Sequence, residues 1–278
     1  YFRGADKEIM IDQWGEKMYD FAQKYDLNRG GGVGGNGIFS NKYRDSNTYG
    51  GSFTGSGYAD FNIMEGLTFT VNGSLYKYDR RYTYVNSPFV DHYTSSNDNG
   101  SVSKGSYTTK TYNTQQLLNY VKTFGLHDVS AMIGHEYYNY EYQSLSGSGW
   151  NFGIDNATEL NSLLNLNYPS SYSSRYNNEG FFFRGMYSYD SKYYGSFSIR
   201  RDASSRFHKD NRWGNFWSAG GAWVISKEDF FDVDWIDMLK FKASIGSQGN
   251  DNIGSYRYAD TYSIVNNNNE VAYQWNQR

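Results

Sequence analysis

The sequence predicts an all-β chain that forms part of a large antiparallel transmembrane β-barrel, and three observations carry that expectation. The first is composition: 278 residues hold 29 Tyr, 18 Phe and 7 Trp, with 30 Gly and only 2 Pro. Aromatic side chains suit a pleated, half-buried surface, and Gly supplies the turns between strands. The second is period-two alternation of apolar and polar residues in many segments. The third is that very short connections alternate with long polar ones, as in barrels with tight turns at one rim and extended loops at the other. A mean hydropathy of −0.78 agrees with such a barrel, because only every second strand residue faces lipid.

Taken in order, the pattern predicts nine strands, at about 54–65, 67–79, 113–124, 127–141, 179–189, 193–202, 214–225, 238–247 and 256–265. The first ends at Glu65-Gly66. In the second, Leu67, Phe69, Val71 and Leu75 alternate with Thr68, Thr70, Asn72 and Ser74. The third meets the tight Phe124-Gly125-Leu126, and the fourth sets Val129, Ala131 and Ile133 against Asp128 and Ser130. Phe181, Phe183, Tyr187 and Tyr189 share a face of the fifth, which turns at Asp190-Ser191-Lys192 into the sixth. Ala219, Trp223 and Ile225 share a face of the seventh. The eighth alternates Leu239, Phe241, Ala243 and Ile245 with Lys240, Lys242 and Ser244. Most of these strands are near the ~9–11 residues that a tilted membrane crossing needs. The apolar faces are expected to meet lipid, and the polar faces (Thr68, Asn72, Lys240, Lys242, Ser244) to line a wet lumen.

Residues 80–112 and 142–178 read as long external loops, with 203–213 and 248–255 on the same side. The link 226–237 belongs to the opposite side, with Glu228, Phe230 and Phe231 in a helical turn. Residues 1–53 read as an external loop. Within it Trp14, Met18, Phe21 and Tyr25 are spaced for a short amphipathic helix, Asp12 to Gly15 equally suits a hairpin turn, and Gly30 to Gly37 reads as flexible loop. Nine strands are an odd number. A plugged transporter has ~22 strands, which at ~10 residues each, with such loops and a plug, overrun 278 residues. The expectation is therefore that 1–278 is a segment of barrel wall without its plug or closing strands.

Several classes fall away. Lys and Arg number 26 against 29 Asp and Glu, so no basic surface exists to neutralise phosphates and no nucleic-acid partner is expected. Cysteine is absent, which removes disulfides, Cys-zinc sites and thiol nucleophiles. No apolar run exceeds four residues, so no transmembrane helix is expected, and no basic-then-apolar leader follows Tyr1. Gly32-Val33-Gly34-Gly35-Asn36-Gly37 matches G-x-G-x-x-G without the preceding strand or following helix that a dinucleotide site needs. Ser101-Val102-Ser103-Lys104 matches S-x-x-K in a Ser/Asn/Gly loop, without partner motifs. His92, His127, His135 and His208 show no ligand spacing. Asn97-Asp98-Asn99-Gly100 and Asn250-Asp251-Asn252 read as turns rather than calcium loops. No catalytic, cofactor or metal residues are expected, and no enzyme. The candidate ligand contacts are the loop aromatics Tyr82, Tyr84, Tyr93, Trp150, Tyr168 and Tyr172, whose faces suit sugar stacking. Aromatics also form barrel girdles.

The stretch Phe181–Tyr258 carries Arg200-Arg201-Asp202-Ala203-Ser204-Ser205-Arg206-Phe207 and then Asn211-Arg212-Trp213-Gly214-Asn215-Phe216-Trp217-Ser218. These are close to R-x-D-G-S-S-R-F and N-R-W-G-x-F-P-S, with Ala203 for Gly and Trp217 for Pro. Leu239 through Asn250 is similar to L-K-L-R-x-S-x-G-x-x-G-N, and Leu118-Asn119-Tyr120 through Gly134-His135-Glu136 to an L-N-Y…G-x-E segment. In this order the motifs resemble the SusC/RagA family of TonB-linked outer-membrane transporters, well over 113–258 and loosely over 1–112. The resemblance implies a central barrel piece of the channel subunit that imports oligosaccharides or peptides. It implies a SusD-like lipoprotein lid on the external face, and TonB acting through a plug not found in these residues. Two other readings share the alternation: a secreted or surface all-β glycan-binding or adhesin protein, and a siderophore or cobalamin receptor of the wider TonB-dependent class.

Overall fold

The computed structural model describes residues 8–11, 15, 17, 42–88, 99–154, 158–233, 235–254, 257–259, 261–267 and 270–276. Eleven strands follow in chain order: β1 Arg44–Met64, β2 Leu67–Asn86, β3 Ser101–Phe124, β4 His127–Phe152, β5 Leu163–Leu166, β6 Ser170–Tyr189, β7 Tyr193–Ser204, β8 Trp213–Val224, β9 Lys240–Ser247, β10 Thr261–Asn267 and β11 Glu270–Asn276. The first nine form one sheet in the order β1-β2-β3-β4-β6-β7-β8-β9, with β5 paired to β4; β10 and β11 form a separate antiparallel hairpin. Each neighbour in the main sheet is the next strand of the chain apart from the short β5, so the sheet is a meander.

The predicted turns are present. Gly66 and Gly125 take positive φ of 80° and 60°, and Asp190 and Ser191 hold 51° and 50° at the third turn. At these positions the chain must reverse within two or three residues, and the left-handed conformation lets it do so. Short and long connections alternate from 65–66 through 205–212 as read from the sequence; the next link, 225–239, is longer than 205–212 and breaks the pattern.

Strand length departs from expectation. β1, β2, β3, β4 and β6 run 21, 20, 24, 26 and 20 residues. Residues 80–86, 101–112, 142–152 and 170–178 are strand, not the external loops expected from their polarity. Residues 44–53 likewise belong to β1. The ninth predicted strand, 256–265, is displaced to 261–267, and β11 was not anticipated. Ile225 begins a 3-10 turn, Ile225–Lys227, and so leaves the face it was expected to share with Trp223. The backbone N–H of Glu228 donates to Ile225 O, and that of Phe231 to Glu228 O, so the expected helical turn is a pair of single turns. Ile11 bridges Lys17, and Gly15 takes a φ of +82°; residues 12–14 of the expected turn lie outside the described residues. Trp14, Met18, Phe21 and Tyr25 lie outside the described residues, as do Gly32–Gly37.

The chain divides into two compact units. Unit 1 comprises Tyr1–Ser52, Tyr78–Thr108 and Tyr142–Ser173; unit 2 comprises Phe53–Lys77, Thr109–Glu141 and Ser174–Arg278. Unit 1 has a small core: Val102, Phe152 and Leu163 are buried, with Val85 and Leu160 against them. Above that core Asn99 donates to Asn151 and Asn151 to Asn165, each at 3.1 Å. Asn99 and Asn151 both sit at positive φ, which asparagine tolerates better than most residues.

In unit 2 the register fixes two faces. One row of cross-strand neighbours is Gly185, Phe197, Ala219 and Ile245, flanked by Phe183, Ile199 and Trp217. Its large side chains point to solvent: Phe197 is 45% exposed, Ile199 47% and Ile245 68%. The opposite face carries Arg184, Ser198, Ser218 and Gly246 in one row, with Ser196, Gly220 and Ser244 in the next. A sheet that exposes a broad apolar face rather than burying it is built for a non-aqueous surrounding.

Candidate functional site

The apolar face is bounded by two aromatic lines. At the tight-turn end, ring contacts run from Phe124 to His127 (5.4 Å), His127 to Tyr189 (5.0 Å), Tyr189 to Tyr193 and Tyr193 to Trp223 (6.4 Å each). Phe241 opposes Trp223 on β9. At the other end His135 stacks on Phe181 at 4.6 Å and Phe181 on Trp213 at 6.1 Å. Eight residues separate the lines on β4 and β6, and ten on β8. At about 3.3 Å per residue that is roughly 26–33 Å of strand. A tilt of about 40° reduces it to roughly 20–25 Å, the height of a barrel's apolar band. Beyond the second line polar pairs appear on this face: His135 with Glu179 (3.1 Å) and Gln116 (2.7 Å), Asn139 with Asn177 (2.6 Å), and Arg175 with Glu141 (2.8 Å).

The tight-turn rim is pinned by Glu228. It accepts from the Tyr193 hydroxyl (2.6 Å) and Trp223 Nε1–H (2.8 Å), and Lys192 Nζ lies 3.5 Å away. The Tyr193 hydrogen bond, then that of Trp223, holds its carboxyl below the usual value. Phe230 packs edge-on against Trp223 at 6.2 Å.

Near this rim lies a concavity of ≈ 680 Å³ whose lining mixes Ser130, Ser188, Ser196 and Ser244 with Val121 and Met186, and Lys240 Nζ caps the Tyr194 ring at 4.1 Å. Further along, the resemblance motif builds an ionic cluster around a ≈ 390 Å³ cavity. Arg200 Nε donates to both oxygens of Asp202 (2.6 and 2.8 Å), and its Nη2 to Glu136 (3.2 Å). A Cβ on Gly180 would lie 2.3 Å from Asp202 Oδ1, so glycine there leaves room for the pair. Arg206 stacks over Tyr176 (4.2 Å) and donates to Asp251 O (2.8 Å). Tyr176 and Asn178 donate to the Asp251 carboxylate. Burial alone lifts that carboxyl, but hydrogen bonds from Tyr176, Ser204 and Asn178, with the Arg206 charge, outweigh it and hold it low. These contacts tie the 248–254 connection to β6 and to the β7–β8 turn.

Unit 1 carries a tyrosine row. Tyr78, Tyr107, Tyr142 and Tyr172, one each from β2, β3, β4 and β6, stand 6.0, 5.9 and 6.1 Å apart in succession. Arg80 Nη1 donates to the Tyr107 hydroxyl at 2.7 Å. Tyr82 and Tyr84 stack at 5.0 Å on the same side of β2. A second recess of ≈ 500 Å³ holds Tyr84 and Trp150 with Asn86, Ser101, Ser148 and Asn167. Of the six aromatics expected on loops, Tyr82, Tyr84, Trp150 and Tyr172 are strand residues, and Tyr168 lies between β5 and β6, 84% exposed. Tyr93 lies outside the described residues. Sequence reasoning missed Tyr78, Tyr107 and Tyr142, although Tyr76, Tyr78, Tyr82 and Tyr84 continue the even-numbered face begun by Thr68 and Asn72.

The weak motifs resolve into local structure. Ser101–Lys104 opens β3 instead of lying in a loop; Ser101 Oγ accepts from Asn86, and Lys104 is paired to Glu159 at 2.6 Å. Asn250 Oδ1 accepts from Asn252 N at 2.8 Å, a turn contact. His208 pairs with Asp210, and His92 lies outside the described residues. Among the described residues no cluster of three His, Asp or Glu is placed to hold a metal.

A nine-stranded sheet, eight of its strands in a meander, with an outward apolar band, two aromatic girdles and a polar inner face is a segment of an outer-membrane β-barrel wall. No family model matches the chain. The TonB-dependent receptor SusC of Bacteroides thetaiotaomicron is 34% identical over 172 residues, 61% of this chain and 16% of that protein. The TonB-dependent receptor P39 of Formosa agariphila is 30% identical over 213 residues, 74% of this chain and 20% of that protein. The RagAB peptide transporter structure superposes with a TM-score of 0.80 at 26% identity, covering 86% of this chain and 27% of that one. The chain thus spans about a fifth of the curated relatives' length. It is SusC/RagA-like in sequence and in fold, and it resides in the outer membrane.

Proposed function

We propose that the chain is barrel wall of the channel subunit of a TonB-dependent importer that takes up oligosaccharides or peptides, with a SusD-like lipoprotein on the external side and TonB acting through a plug. The supporting observation is the tyrosine row of unit 1. On β2 its Tyr78 continues the even-numbered positions that hold Thr68, Thr70, Asn72 and Ser74. Four rings about 6 Å apart on four neighbouring strands offer a continuous stacking surface. Tyrosine hydroxyls add hydrogen bonds to sugar or peptide groups. Tyr82, Tyr84, Trp150 and Tyr172, with Tyr168 at the rim, extend that surface.

Uptake of labelled oligosaccharides and of labelled peptides is the test, in cells carrying the full-length receptor. Deleting the gene is expected to abolish uptake of one of the two classes. Tyr107→Ala with Tyr142→Ala is expected to weaken it by roughly tenfold, since each lost stacking contact is worth about 0.5–1.5 kcal/mol. Undiminished uptake of both classes in the deletion strain would remove the importer reading. Undiminished uptake in the double variant alone would remove the tyrosine row from the path.

A further inference from the structure

Arg201 is the charged residue of β7 that the register places on the apolar face. Its cross-strand neighbours are Phe181 and Asn215, and its own-strand neighbour on that face is Ile199. Its guanidinium lies over the Trp213 ring at 5.2 Å, and Trp213 stacks on Phe181. The side chain is exposed, and among the described residues it makes no ion pair. Nearby Glu179, on the same face of β6, is engaged by His135, and Asp210 in the adjoining turn by His208. In the sequence Arg201 sits beside Arg200, which faces inward and is bound by two carboxylates. Adjacent arginines thus serve opposite sides of the wall.

The position of Arg201 sets what it can meet. It stands eight residues, roughly 26 Å of strand, from Tyr193 in the tight-turn girdle. With strand tilt the Cα lies at the upper limit of the hydrocarbon band, and a long side chain reaches outward to the headgroup level. A cation held flat on an indole at this depth, without a protein anion, is complementary to an anionic headgroup.

We propose that Arg201, Trp213 and Phe181 form a binding site on the outer wall for the phosphate headgroup of an external-leaflet lipid. Phe181 and Trp213 pack on the acyl and glycerol region, and Arg201 pairs with the phosphate. This site faces away from the lumen and is independent of what the channel carries.

The full-length receptor, reconstituted into phosphatidylcholine vesicles with and without phosphatidylglycerol, provides the test. Lipid retained after mild extraction is counted by native mass spectrometry. The parent is expected to retain phosphatidylglycerol in preference to phosphatidylcholine. Arg201→Gln should lower that retention about fivefold, the worth of one basic group at an anionic surface. Arg201→Lys, which keeps the charge, should lie between and guards against a folding artefact. Equal retention by parent and Arg201→Gln overturns the proposal, and so does absence of any preference in the parent. Displacement of the lipid by millimolar inorganic phosphate would reveal a plain ion site and also overturns it.

Discussion

At the scale of single residues, the wall depends on a few polar groups held against unfavourable surroundings. Glu228 ties Tyr193, Trp223 and Lys192 together at the tight-turn rim. Its carboxyl is held below the ordinary value of 4.5, so it favours the folded rim at neutral pH. That contribution persists above 4.5 and is lost as pH falls through the lowered value. The fluorescence of Trp223, isolated by difference from a Trp223→Phe variant, should therefore titrate with a midpoint below 4.5. In Glu228→Gln the same signal should be flat. The Arg200 pair makes a second case. Asp202→Asn leaves Glu136 as the one anion on Arg200 and should cost about 1 kcal/mol, since the pair is partly exposed and the amide oxygen still accepts from Arg200 Nε. The measurement is the urea midpoint of the folded barrel. Gly180→Ala should act on the same pair by wedging a methyl against Asp202.

At the scale of the element, depth in the membrane decides the cost of a charge. Ile245 opposes Ala219 in the middle of the apolar band, whereas Phe241 opposes Trp223 in the girdle. Ile245→Arg should destabilise assembly by about 2–4 kcal/mol and Phe241→Arg by about 0–1 kcal/mol. Lys242→Glu, on the polar face, should assemble normally. Heat-modifiable mobility of the assembled barrel gives the ranking. Strand lengths show what was legible in the sequence. Residues 67–79 and 127–141 were readable because lipid on one side and water on the other impose strict alternation. In their continuations, 80–86 and 142–152, apolar residues no longer recur on every second position: arginine, tyrosine and threonine make up most of the first, and serine and glycine recur through the second, so alternation is lost although pairing continues. The same loss of contrast hid 101–112 and 170–178, and turned strand aromatics such as Tyr84 and Trp150 into apparent loop residues. The Phe181–Asn250 motifs were readable as family signatures. Their physical content, Arg200 with two carboxylates and Asp251 tied to Tyr176, needed the fold, because the partners lie 64 and 75 residues apart.

At the scale of the molecule, the sheet has two outer strands. Among the described residues β1 and β9 each pair on one side only, leaving rows of unpaired backbone donors and acceptors beside an exposed apolar face. In water such edges recruit further strands. The 278-residue chain produced alone in detergent-free buffer should therefore sediment as large aggregates. A receptor that holds it as barrel wall, as proposed above, should remain monodisperse when extracted in detergent. Light scattering on the two preparations distinguishes them, and a monodisperse segment with a cooperative melt would favour a water-soluble all-β protein.

The strict two-residue repeat of the wall also limits how its sequence can change over time. Deleting one residue of β7 before Arg200 would turn Arg200 toward lipid and Arg201 toward the lumen, with the positions after them inverted likewise. Insertions and deletions within these strands are therefore tolerable in pairs, or in the connections. Among related genes, length variation should gather where no parity has to be kept, in the connections between strands outside the paired β5 segment Leu163–Leu166.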